Sequence, residues 1–461
     1  MKAKYDLIVI GAGSGGLVVA TTAKRRGMRV AMLEKDKIGG ECTHSGCVPS
    51  KALIQSTKQL AAISHTTQYG LPAIAPVKAN FATVMEYVDS VVQGIYAHET
   101  PDVWQKQGID VYVHEAGAKF LNANTVSIGP TVLEADHFVL CTGSSPRVID
   151  LPGSENVNFL HNENFWDLRT QPKSIVFVGG GVISAELGQS MALLGTQVSI
   201  IDRNERILKV VDDEVAQVLI EEFRALGIQT IGRAELKGFR QEGEETITLI
   251  EVDGIAQELR SESVFLAVGR TPNLYGMDLG KAGVAFSERG IKVNEYLQTT
   301  ASNIYACGDV ATPAKFTHVA AYQAVVCVDN IEKGNHRPND LSILPWAIFS
   351  DPEIAHVGLS EKQAIEQYGE ENIQVFKVDA TVDRFITDGK TKGFLKVIFG
   401  PNDKVLGADA IGAHAAEWTQ MLTLVMKHDL PLDEFVYTIY SYPTYSEIVK
   451  KVITRYLRTK K

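Results

Sequence analysis

The chain has 461 residues and a formal net charge of −10, with 45% hydrophobic and 22% charged residues. That length exceeds one ordinary core and predicts about three domains, and the composition is that of a soluble globular protein. The acidic balance argues against a nucleic-acid or anionic-membrane binder, since both favour basic surface.

Tyr5 to Ile10 already reads as a buried strand, which leaves no room ahead of it for a signal peptide. Leu7 to Ala23 is apolar, but its glycines and short length suit a strand-turn-helix better than a membrane span. After Leu7-Ile8-Val9-Ile10 come Gly11-Ala12-Gly13-Ser14-Gly15-Gly16, a helical pattern to Gly27, and a strand ending on Glu34. This is the dinucleotide fingerprint. Gly11 permits the tight turn, Gly13 lets a pyrophosphate approach the backbone, Gly16 allows close helix packing, and Glu34 accepts from a ribose.

Next comes Gly39-Gly40-Glu41-Cys42-Thr43-His44-Ser45-Gly46-Cys47-Val48-Pro49-Ser50-Lys51. Two cysteines ahead of an apolar helical pattern predict a redox pair at the first turn of a helix, where the positive helix end lowers a thiol pKa. Such a pair stores two electrons as a dithiol and releases them as a disulfide. Two free cysteines in a Gly-rich loop, or half of a zinc site, are the alternatives, but zinc sites use shorter spacings and need a second ligand pair, and Cys141, Cys307 and Cys327 are scattered singly. No metal site is expected. Five cysteines, a low and odd number, point to a reducing compartment, with the cytoplasm as the default.

Asn80 to Gln107 shows two helical runs broken near Pro101, Val111 to Glu134 reads as short strands, and Phe138 to Leu140 enters the turn Cys141-Thr142-Gly143. The dinucleotide unit then recurs. Ser174 to Val178 leads into Gly179-Gly180-Gly181-Val182-Ile183-Ser184, a helix to Gly195, and a strand ending on Asp202. Gly11 to Gly27 and Gly179 to Gly195 are each 16 positions, and Gly11 to Glu34 and Gly179 to Asp202 are each 23. Ser184 stands where Gly or Ala is usual. Asp202 favours the free ribose of NAD over the 2′-phosphate of NADP, with Arg203 and Arg206 nearby as the counter-signal. The segment Val264 to Asn273, with Gly269 at its turn, closes the second unit, and Asn303 to Ala306 ends at Cys307-Gly308-Asp309. From Pro345 alternating strand signals are followed by helical patterns at 416–428 and 446–457, a separate α+β domain. The basic end Arg458-Thr459-Lys460-Lys461 reads as a solvated tail.

Two nucleotide fingerprints flanking a Cys-x4-Cys-x-Pro-Ser-Lys turn resemble the class I pyridine nucleotide-disulfide oxidoreductases, the flavoenzymes that include glutathione reductase, dihydrolipoamide dehydrogenase and mercuric reductase. The resemblance implies an α/β fold: an FAD-binding domain at 1–149 and 272–340, an NAD(P)-binding domain at 150–271, and a dimerisation domain at 341–461. It implies FAD on Gly11, Gly13, Gly16 and Glu34, with Asp309 at the ribityl chain and Thr142 and Gly143 at the neighbouring turn. NAD(H), favoured over NADP(H), would lie on Gly179, Gly181 and Asp202, with Gly269 at the turn that closes this unit. Cys47 is implied as the thiol facing the flavin, Cys42 as the interchange thiol, and Lys51 with Glu186 as the ion pair beside the reactive flavin nitrogen.

Disulfide reductases of this family usually carry His-Pro-Thr and a following Glu, supplied across a homodimer interface. Here the run is Tyr442-Pro443-Thr444-Tyr445-Ser446-Glu447. Mercuric reductases resemble the chain in having Tyr there, but they also use a C-terminal cysteine pair, and this chain has no cysteine after Cys327. His44, between the two cysteines, is a candidate for the proton handling lost at Tyr442, and His318, near the expected flavin-facing turn, is a comparable one. The expected function is transfer of electrons from NADH through FAD and Cys42–Cys47 to a thiol or disulfide acceptor by a homodimer. Alternatives are a mercuric-reductase-like enzyme, a dihydrolipoamide dehydrogenase, a quinone or oxygen diaphorase, and a redox sensor.

Overall fold

The computed structural model describes residues 3–460; Lys461 of the basic end lies outside them. The first unit starts with β1 (Ala3–Ile10), α1 (Ser14–Arg25) and β2 (Val30–Glu34). The redox loop follows as α2 (Gly40–His44) and α3 (Cys47–Ser64), then α4 (Phe81–Tyr96), α5 (Pro101–Lys106) and β3 (Asp110–Val113). Three antiparallel strands, β4 (Ala118–Asn122), β5 (Thr125–Ile128) and β6 (Thr131–Leu140), complete a sheet of order β3-β2-β1-β6-β5-β4. Leu7, Ile8 and Val9 are wholly buried because helices and further strands cover both faces of the parallel part.

A short strand β7 (Ser144–Pro146) leads into the second unit: β8 (Ser174–Val178), α6 (Val182–Leu193), β9 (Gln197–Ile201), α7 (Asp213–Ala225) and β10 (Gln229–Ile231). A three-stranded antiparallel sheet, β11 (Ala234–Glu242), β12 (Glu245–Val252) and β13 (Ile255–Ser261), precedes β14 (Ser263–Leu266). The parallel order is β10-β9-β8-β14. The return strand β15 (Arg270–Pro272) pairs antiparallel with β7, so both crossings between the units run as one two-stranded ribbon.

After the hairpin β16 (Phe286–Ser287) and β17 (Gly290–Ile291), β18 (Ile304–Ala306) joins the first sheet beside β6, and α8 (Thr317–Lys333) packs on α1. The last region is a sheet of order β19-β20-β23-β22-β21. Its strands are β19 (Pro345–Ile348), β20 (Glu353–Gly358), β21 (Gln374–Asp379), β22 (Phe394–Phe399) and β23 (Val405–Gly412). Helices α9 (Glu361–Tyr368), α10 (Asp383–Thr387), α11 (Ala415–Trp418), α12 (Gln420–His428), α13 (Glu434–Tyr437) and α14 (Glu447–Arg458) accompany it. The helix expected over 416–428 is two pieces meeting at Thr419, whose hydroxyl back-bonds to Ala415 O. Ile448, Val449, Val452 and Ile453 bury one face of α14 against this sheet. No helix among the described residues is long and apolar enough to cross a membrane.

A buried lysine joins this region to the second unit. Lys396 Nζ reaches Asp212, Glu214 and Glu361 at 2.6, 3.0 and 3.1 Å. Burial opposes its charge, but these three carboxylates outweigh that and raise its pKa.

Candidate active site

Each nucleotide turn is built in the same way. Gly11 and Gly179 have φ of 98° and 101°, and a Cβ on either would lie 2.5 or 2.4 Å from the carbonyl oxygen of Cys141 or Ala267, at the end of the neighbouring parallel strand. Only glycine tolerates both demands. Thr142, Gly143 and Gly269 follow directly on those same strand ends, where Thr142 and Asn273 exchange hydrogen bonds between the two crossings. Helices α1 and α6 start at Gly13 and Gly181 without a side-chain cap. Their first N–H groups therefore meet no side-chain acceptor, and a phosphate is the natural partner for such a helix start. Glu34 accepts from Ala12 N at 2.7 Å, and Asp202 accepts from Gly180 N at 2.7 Å, so each acid both braces the glycine turn and stands at the ribose position. The turns fit two dinucleotides. At Gly16 a Cβ would come within 1.9 Å of Gly11 O. The second turn is wider there, and the Ser184 hydroxyl donates to Gly179 O.

The redox loop is packed on the first turn: Gly39 N donates to Ala12 O, and a Cβ on Gly40 would stand 2.7 Å from Gly13 Cα. Cys47 begins α3, while Cys42 sits on the separate turn α2, so one cysteine rather than both occupies the helix start. The two are free thiols, Cys42 half-buried and Cys47 exposed. The Cys47 thiol is pushed down to about 6, first by the hydrogen bond from Cys42, with help from Thr317 and Lys51 and against the effect of burial. Cys42 is pushed up, because losing its proton would forfeit that bond beside a thiolate. The Thr317 hydroxyl lies 3.4 Å from Cys47 Sγ, at the N-terminus of α8, so a second helix end faces the same sulfur.

Lys51, one turn along α3, meets Glu186 of α6 at 2.8 Å, and the other carboxylate oxygen of Glu186 accepts from Phe349 N at 2.9 Å. The Lys51 ammonium also lies 4.6 Å from the centre of the Phe349 ring. The pair joins the redox helix, the second nucleotide unit and the C-terminal region. At the end of β18, Asp309 accepts from Ser144 Oγ at 2.6 Å.

The histidines are placed differently. His44 donates from Nε2 to Ile38 O at 2.8 Å and sets its ring edge-on to Tyr96, so that nitrogen braces the loop. His318 stacks on Phe316 and bonds Pro345 O. Tyr442 is largely exposed on the C-terminal region, its hydroxyl on Asp383, which raises its pKa. Glu447 accepts from Thr444 N at 3.2 Å. The structure thus gathers Cys42, Cys47, Lys51 and Glu186 at one place and leaves Tyr442 on the loop before α14 and Glu447 at the first residue of that helix. Thr317 was missed by sequence reasoning: it lies 270 residues from Cys47, and a threonine opening a helix carries no signal of its own.

A family model described as pyridine nucleotide-disulphide oxidoreductase matches residues 5–324, and its dimerisation domain matches 344–453. The chain is 32% identical over 448 residues to the mercuric reductase of Staphylococcus aureus, covering 97% of this chain and 81% of that one. It is 31% identical over 456 residues to the dihydrolipoyl dehydrogenase of Chlamydia pneumoniae, covering 97% and 96%. The HOCl-induced flavoprotein disulfide reductase RclA from Escherichia coli shares the fold, with a TM-score of 0.85 at 24% identity over 98% of this chain and 99% of that one. FAD and a pyridine nucleotide are the family's cofactors, and the dimerisation domain supports a homodimer. The chain belongs to the class I pyridine nucleotide-disulfide oxidoreductases and is an FAD-dependent NAD(P)H:disulfide oxidoreductase.

Proposed function

We propose that this protein moves electrons from NADH through FAD to the Cys42–Cys47 pair and on to a thiol or disulfide acceptor. The observation that carries the reading is the Cys42–Cys47 pair with the Thr317 hydroxyl 3.4 Å from Cys47 Sγ, beside a cross-unit Lys51–Glu186 pair at 2.8 Å, an arrangement that lowers the Cys47 pKa. A flavin held beside Cys47 would supply the two-electron chemistry that links the nicotinamide to the disulfide. Reduction adds two electrons and cleaves the S–S bond; Cys47 is left as thiolate and Cys42 takes up a proton. Cys42, giving up that proton, then attacks an acceptor disulfide and releases one acceptor thiol. The Cys47 thiolate displaces the second acceptor sulfur from the mixed disulfide as a thiolate, which takes a proton from solvent, and the Cys42–Cys47 bond is restored.

Glu34 and Asp309 would hold FAD, with Gly11, Gly13 and Gly16 at its phosphates, and Gly179, Gly181 and Asp202 would hold the nicotinamide dinucleotide. NADH is preferred because Asp202 stands at the ribose position and Arg206, one of the two arginines that follow it, is bonded to Asp213 and to the carbonyl oxygens of Ile207, Leu208 and Val211. The proposed domains are 1–149 with 272–340, 150–271, and 341–461, and the proposed compartment is the cytoplasm. In the homodimer, Tyr442 and Glu447 of one subunit would face the redox pair of the other. The deciding experiment is an anaerobic NADH titration of the purified protein. A long-wavelength thiolate-to-flavin absorption band after two electrons supports the path; bleaching of the flavin without the band would replace it with a diaphorase.

A further inference from the structure

We propose that Glu41, the residue before Cys42, is a positioning residue that ties the redox loop to the ribbon joining the two nucleotide units and sets the charge felt by the redox pair. Its carboxylate is held by the Arg270 guanidinium and by Asn162 Nδ2 at 2.9 Å. Asn162 Oδ1 in turn accepts from Arg270 at 3.2 Å, so the three side chains close a ring. Arg270 opens β15 and grips the partner strand β7, with Nε on Ser144 Oγ at 2.7 Å and Nη2 on Ser144 O at 2.6 Å. Ser144 carries the chain on to Asp309, itself 3.7 Å from Arg270, and Lys315 Nζ caps Arg270 O at 2.7 Å. One guanidinium therefore bridges α2, the crossing ribbon and the acid at the end of β18.

The charged groups facing Glu41 are Arg270 from β15, Asp309 after β18, Glu163 from the segment before β8, and Cys47 from α3, with Lys315 beyond Arg270. Burial first, and the anionic neighbours after it, push Glu41 up to about 7 against the pull of Arg270. Ionised, Glu41 cancels Arg270. Neutralised, it leaves that cation without its counter-charge and presents no negative charge to Cys47, which faces Glu41.

The inference rests on the proposed electron path, and the test separates the two. Glu41→Gln keeps the shape and removes the charge; Glu41→Thr serves if the amide variant loses its flavin. The readout is the long-wavelength band of the two-electron-reduced holoenzyme, followed in intensity and wavelength from pH 5 to 9. In the parent the band should shift in wavelength through a second inflection near pH 7, as Glu41 takes on its charge beside a thiolate already formed; the neutral variant should lose that second inflection, and Glu41→Asp should keep one. If the parent lacks the band, the electron path itself fails. A parent with the band whose neutral variants keep the same second inflection would overturn the role of Glu41.

Discussion

Replacing Thr317 by valine keeps the shape of the side chain and removes the hydroxyl 3.4 Å from Cys47 Sγ. Hydrogen bonds to charged groups contribute about 1.5–3 kcal/mol. At this length and with a diffuse sulfur acceptor, about 1 kcal/mol is the appropriate scale, which at about 1.4 kcal/mol per unit is roughly 0.7 of a pH unit. The sign follows from which form the bond favours: Thr317 stabilises the thiolate, so its loss raises the Cys47 pKa. A thiol held at about 6 in the parent would titrate near 7 in the variant. The assay is the long-wavelength band of the two-electron-reduced enzyme from pH 5 to 9, with flavin content as the control for folding. At pH 8 both proteins should show the full band, while near pH 6 the variant should have lost more of it. An unchanged or lower midpoint in a variant that retains its flavin would refute the account of how this thiolate is stabilised.

The two nucleotide turns should respond differently to a methyl group. Gly16→Ala places a Cβ 1.9 Å from Gly11 O, so the purified protein should come without flavin. Ser184→Ala, losing one hydrogen bond to Gly179 O, should bind NADH within a few-fold of the parent; flavin retained in the first or NADH binding abolished in the second contradicts the geometry. Lys396→Met leaves Asp212, Glu214 and Glu361 facing one another without a cation. Glu214 and Glu361 are partly solvated, so the cost is set at about 2 kcal/mol rather than the larger value for a fully buried pair. A lower urea midpoint would register that loss, and a midpoint equal to the parent's would show that the cluster adds no stability.

Much of this site was legible because its signals are local. A glycine turn, the helix behind it and the acid at the next strand end lie within 23 positions in both units, and each residue type answers a backbone demand confined to that stretch. The Cys-x4-Cys spacing announced redox chemistry for the same reason, but placing both cysteines at one helix start was inaccurate: α2 and α3 separate them. His44 shows the limit of reading proximity in sequence. It sits between the cysteines, yet its Nε2 is bonded to the Ile38 carbonyl.

The amino-acid sequence by itself determined two dinucleotide turns, a redox dithiol and a separate C-terminal α+β region, since spacing, turn chemistry and periodicity carry these through neighbouring residues. Tertiary structure alone decided the electrostatics. Thr317 reaches Cys47 across 270 positions and Arg270 closes on Glu41 across 229, whereas the pairing of Lys51 with Glu186 was already implied by the family resemblance. Such pairs exist only after helices and sheets from different units have packed, because a side-chain bond depends on a few ångströms of separation that no local pattern encodes.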